Sequence, residues 1–145
     1  VIHAPRQTGK TTAMLALAEQ LSGSEDYTAA LVCVELGAPF SKNPEVAELV
    51  ILDSWKASTK LDLPAILHPP ENWNSAQPGR RIQAALQSWS QASSRPLVLF
   101  IDEIDSLEDE ALISVLRQLR DGYRNRPQNF PISVGRDWFA RCEGL

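Results

Sequence analysis

Two short segments of the chain carry residue types that can do chemistry. The first reads Ala4-Pro5-Arg6-Gln7-Thr8-Gly9-Lys10-Thr11. It follows a short apolar stretch, Val1-Ile2-His3, and opens a run with helical spacing. This is the P-loop (Walker A) pattern with Ala in the place of its first Gly. Successive backbone N–H groups in such a loop can surround a triphosphate, and a helix N-terminus adds its dipole. Gly9 permits close backbone approach, Lys10 supplies a positive charge for the β- and γ-phosphates, and Thr11 offers a hydroxyl oxygen to Mg²⁺. The nucleotide-binding set expected from the pattern is Pro5, Arg6, Gln7, Thr8, Gly9, Lys10, Thr11 and Thr12.

The second segment is Leu97-Val98-Leu99-Phe100-Ile101-Asp102-Glu103. Apolar residues that end in Asp-Glu have the Walker B form. Asp102 would emerge at the carboxyl end of a buried strand, where open α/β sheets place their ligands. It can help to hold Mg²⁺ together with Thr11, and Glu103 can accept a proton from an attacking water. The metal set is therefore Thr11 and Asp102, and the catalytic candidate is Glu103.

Other polar residues read more plainly. Asp105 favours the start of the next helix, and Glu35 favours a turn. His3 reads as packed or hydrogen-bonded, and Arg6, at a variable loop position, as solvent-exposed despite its place in the binding loop. Trp55, Trp73 and Trp89 lack the spacing of a stacking platform and read as packing residues.

These segments need a scaffold. Lys10–Leu21 has helical spacing and ends at Ser22-Gly23. Ala29–Leu36 is a continuous apolar run, as in a buried parallel strand. Asn43-Pro44 reads as N-cap and N1 of a helix to about Ala57. Residues 59–79 hold four Pro, one Gly and three Asn or Gln, the composition of a long surface insertion. Arg80–Ala92 is amphipathic, Leu97–Ile101 is a second buried strand, and Ser106 should cap a helix to about Arg124. Strands alternating with helices predict a parallel sheet covered on both faces. The fold class is α/β, a three-layer αβα P-loop NTPase sheet, incomplete at both ends. Residues 1–134 form the partial core and residues 135–145 an irregular tail. Both ends cut into apparent secondary structure, as in a piece of a larger domain; a small domain with a processed N-terminus is the alternative.

The composition narrows the setting. The chain has 145 residues, 14 Lys and Arg against 18 Asp and Glu, and a net charge of −4. A grip on nucleic-acid phosphate calls for a basic surplus that is not present. Its apolar runs fall short of the roughly 20 residues that span a membrane. Cys33 and Cys142 cannot form a disulfide framework; Cys33 reads as a buried thiol, and a cytoplasmic location fits.

Taken together, Ala4–Thr11 and Leu97–Asp105, the latter ending Asp-Glu-Ile-Asp, resemble the AAA+ branch of P-loop ATPases. They look most like bacterial and archaeal members related to origin-recognition and signalling ATPases. The resemblance implies a sheet of order 5-1-4-3-2 with the Walker B strand third. Phe130–Val134 would then supply the fourth strand, and the sensor region expected at that strand's end is not assigned to Arg136 or Asp137. It also implies a fifth strand and a helical lid. Lys10, Thr11 and Asp102 match the family's MgATP ligands, and Glu103 matches its catalytic glutamate. The expected function is MgATP binding and, in the complete protein, ATP hydrolysis that drives a conformational change. The expected partners are ATP and either further copies of the chain or a partner protein. A non-hydrolysing nucleotide-dependent switch or signalling module is the alternative; a P-loop phosphoryl transferase fits the Asp-Glu pair less well.

Overall fold

The computed structural model describes residues 10–128 and 132–135. Three strands form a parallel sheet: β1 (Thr28–Cys33), β2 (Leu97–Asp102) and β3 (Ile132–Gly135), in the order β1-β2-β3. β1 pairs with β2 from Thr28↔Leu97 to Cys33↔Asp102, and β2 pairs with β3 from Val98↔Ile132 to Ile101↔Gly135. With β2 as the Walker B strand, this order is the 4-3-2 part of the sheet expected from the resemblance. Val1–His3, the strand expected before the P-loop, lies outside the described residues, as do Arg136, Asp137 and Cys142.

Each face of the sheet has its own helices, as strand alternation requires. On one face, α1 (Lys10–Gly23) buries Met14 and Ala18 against Ala29 and Phe100. On the other, Ala30, Val32, Leu97, Leu99 and Ile101 meet α2 (Pro44–Asp62), α3 (Arg81–Ala92) and α4 (Asp109–Arg124). The result is three layers, α1, sheet, and α2–α4, with the larger core on the second face.

Four local expectations are corrected. β1 stops at Cys33 rather than Leu36. The Val34 N–H still donates to the Asp102 carbonyl (3.3 Å), but the Gly37 N–H turns back to the Val34 carbonyl (3.0 Å) and begins a 3₁₀ turn over Glu35–Phe40. Glu35 is therefore an exposed turn residue. α2 continues to Asp62, five residues beyond the expected end, with the Asn43 side chain accepting from the Val46 N–H as the cap pattern implied. Residues 59–79 are mostly exposed, as expected of a surface segment, but they are also anchored in the core. Leu63, Leu67 and Trp73 belong to the main core. Trp73 meets Trp89 edge-on, with ring centroids 5.7 Å apart, and Trp89 Nε1 donates to the Leu67 carbonyl (3.1 Å). The expectation that the three tryptophans pack holds, since Trp55, Trp73 and Trp89 are all buried.

The fourth correction concerns Ser106. Ile104–Ser106 forms its own 3₁₀ turn, and α4 starts at Asp109 with no side-chain cap from Glu108. Ser41, 67 residues upstream of Glu108, does the capping: its Oγ accepts the Glu108 N–H (3.1 Å) and its carbonyl accepts the Ala111 N–H (2.9 Å). The start of α3 is satisfied in a similar way. Gln118 Oε1 of α4 accepts the N–H groups of Ile82 (3.0 Å) and Gln83 (3.1 Å). The Gln118 Nε2 donates to the buried Glu48 carboxylate, which also accepts the Gly79 N–H (3.0 Å). The helices of this layer thus hold one another's ends.

Candidate functional site

The carboxyl ends of β1 and β2 are level, because Cys33 is in register with Asp102. Trp55 fixes this edge from below: its Nε1 donates to the Cys33 carbonyl (3.0 Å), tying α2 to the last residue of β1. α1 begins at the same edge. Its second residue, Thr11, donates through Oγ1 to Asp102 Oδ2 at 2.7 Å, across 91 residues of sequence. Two residues chosen separately from two motifs are in direct contact. Asp102 Oδ1 accepts the Glu103 N–H (3.0 Å), so both carboxylate oxygens are engaged and the carboxylate is held in one orientation.

Glu103 follows in the left-handed region, φ 59° and ψ 30°. Few non-glycine residues adopt this conformation. Its carbonyl accepts the Ser106 N–H (2.9 Å) and the Ser106 Oγ–H (2.6 Å). Glu103 is half-buried, as is Asp102, while Thr11 and Thr12 are exposed. Asp105 is exposed within the 3₁₀ turn, and α4 starts only at Asp109, so Asp105 does not stand at the start of that helix as expected.

Cys33 is half-buried rather than buried as expected. Burial raises its pKa, and the nearby carboxylates of Asp102, Glu35 and Glu103 add to this, while the Glu35 N–H, which donates to Sγ (3.4 Å), works in the opposite direction. The position of Cys33 was legible only from strand register, since nothing in its own sequence neighbourhood marks it. Ser106 and Ser41 were likewise missed, one assigned a different bond and the other not singled out.

Pro5, Arg6, Gln7, Thr8 and Gly9 lie outside the described residues, and Lys10 is described only as the first residue of α1. No cluster of three or more His, Cys, Asp or Glu able to hold a metal is present among the described residues. Mg²⁺ does not need one: it keeps several waters and takes one or two carboxylates plus substrate phosphates. A carboxylate beside a hydroxyl is a donor set of hard oxygens that fits it. A cleft of about 610 Å³ between α3 and α4 shares no residue with this edge. No helix among the described residues is long and apolar enough to cross a membrane.

A parallel sheet with helices on both faces, and a helix start and an acidic strand end meeting at one edge, define a P-loop-type α/β domain. The chain belongs to the ATPase family associated with various cellular activities (AAA), whose family pattern matches residues 1–134. No curated protein and no solved structure gives a match.

Proposed function

We propose that the chain binds MgATP at the edge formed by α1 and β2, and hydrolyses ATP to drive a conformational change. The observation that carries this reading is the Thr11–Asp102 hydrogen bond. In this reading Pro5, Arg6, Gln7, Thr8, Gly9, Lys10, Thr11 and Thr12 surround the phosphates. Thr11 and Asp102 would hold Mg²⁺ with the nucleotide, and the ion would supply charge neutralisation at the phosphates. The Thr11 hydroxyl donates its hydrogen bond to Asp102, which leaves the Thr11 oxygen lone pairs free for the cation. Glu103 orients a water and accepts its proton. Assembly with further copies of the chain or with a partner protein, and a cytoplasmic setting, belong to the same proposal.

The test is calorimetric titration with MgATP. Lys10→Ala removes a charge-assisted contact worth about 1.5–3 kcal/mol, so affinity should fall about ten- to a hundredfold. Equal affinity in variant and parent would overturn the phosphate-loop assignment.

A further inference from the structure

We propose that Ser106 is a positioning residue for Glu103, which it clamps in a left-handed backbone conformation. The inference rests on the reading of Glu103 as the proton acceptor. A non-glycine residue at φ 59° is strained, and such strain persists only where its surroundings hold it. Here both sides of the residue are held. The Glu103 N–H goes to Asp102 Oδ1 (3.0 Å), and its carbonyl receives two donors from Ser106, the backbone N–H (2.9 Å) and Oγ–H (2.6 Å). The next residue, Ile104, and the one after the turn, Leu107, are anchored in the core at 8% and 2% exposure.

The geometry has a direct consequence. A Glu that continued the β-conformation of Asp102 would point its side chain to the opposite sheet face, because strand side chains alternate. The left-handed turn breaks that alternation just after Asp102. The orientation of the Glu103 carboxylate therefore depends on the turn, and the hydroxyl of Ser106 is the side-chain element that tightens it. Ser106 is the expected cap of α4 in another role: its hydroxyl is spent on Glu103 because Ser41 already caps that helix.

Steady-state ATP hydrolysis and MgATP binding by the full chain test this. In Ser106→Ala the backbone N–H bond to the Glu103 carbonyl remains, so the turn survives but loosens. kcat should fall about five- to tenfold, the worth of one good hydrogen bond, with nucleotide affinity unchanged. Ser106→Thr keeps the hydroxyl and should restore turnover. In a Glu103→Gln background, Ser106→Ala should lower kcat no further, because Ser106 acts through Glu103. If Ser106→Ala does not fold, Ser106→Cys keeps the volume with a weaker donor and should lose turnover severalfold. Unchanged kcat in the folded variant, an equal loss in the Gln background, or failure of Thr to rescue would each overturn the proposal. Parental turnover by Glu103→Gln alone would overturn the catalytic reading itself, and the clamp with it.

Discussion

Replacement of Asp102 by Asn separates the structural from the ligand-binding work of this carboxylate. Asn has nearly the same shape, so its amide oxygen can keep the bond from the Glu103 N–H (3.0 Å). Its amide nitrogen then faces Thr11 Oγ1, which loses its acceptor at 2.7 Å and must turn its proton to solvent. Thr11 is exposed, so water replaces the lost partner, and the cost to the unliganded fold stays below about 1 kcal/mol. For a domain of this size that is a fall in Tm of at most about 4 °C. On the proposed reading the effect on MgATP is larger, because the substitution removes one of the two side-chain oxygens proposed to hold Mg²⁺ and the only negative charge of the pair. A charge-assisted interaction of about 1.5–3 kcal/mol corresponds to a ten- to hundredfold loss of affinity. ATP without Mg²⁺ should respond in the opposite sense: removal of a carboxylate facing a polyanion leaves its affinity equal or higher. Calorimetric titrations with ATP in excess Mg²⁺ and in a chelator, with thermal unfolding of both proteins, measure all three quantities. An equal loss with and without Mg²⁺ would refute the reasoning, as would no loss or a Tm drop of more than about 10 °C.

Two further predictions concern the fold that carries the edge. In Gly37→Ala the new Cβ would lie 2.8 Å from Cδ1 and 2.9 Å from Cγ1 of Ile51, so the buried Ile51 side chain or the turn after β1 must shift; the expected cost is about 1–3 kcal/mol, read from denaturant unfolding, and an unchanged midpoint would contradict it. Glu71 receives Lys56 Nζ at 2.8 Å and Lys60 Nζ at 3.5 Å, and its pKa is lowered, first by the hydrogen bond from Lys56 and then by the charges of both lysines. A depressed carboxylate stabilises the fold above its unfolded value of about 4.3 and loses that contribution as pH falls through the folded value. Parent and Glu71→Gln should therefore differ slightly in Tm at neutral pH and low salt and converge in acid or in high salt; a gap that widens in acid would show the sign to be wrong.

The parts of this molecule that follow local rules were readable in the sequence. Asn43-Pro44 starts α2 because side-chain capping and proline's fixed φ act within one turn. The apolar runs at Ala29 and Leu97 are strands buried on both faces, and the contact between Thr11 and Asp102 follows from motif placement at the carboxyl edge of a parallel sheet. The parts that failed depend on partners far along the chain. Ser106 reads as a cap because it stands three residues before Asp109, yet Ser41 takes that role across a packed turn. The Pro-rich segment reads as surface because composition registers Pro and Asn, while Leu63, Leu67 and Trp73 are core by virtue of where α2 and α3 meet. β1 ends before its apolar run does, and the chain turns so that Gly37 lies against Ile51, a long-range contact the run itself does not contain. The backbone of Glu103 had no signal at all: a left-handed Glu is set by bonds from Asp102 and Ser106, not by its own propensity.

The central claim is that this AAA chain couples MgATP held near Thr11 and Asp102 to hydrolysis through Glu103. Parallel measurement of MgATP affinity and phosphate release, in the full chain and in Glu103→Gln, tests it most directly. Gln keeps the size of the side chain and removes the proton acceptor. The account predicts affinity within about twofold of the parent and phosphate release lowered about a hundredfold or more. Release at the parental rate with affinity retained would contradict it and leave Glu103 as a strand-end acid with no part in the chemistry.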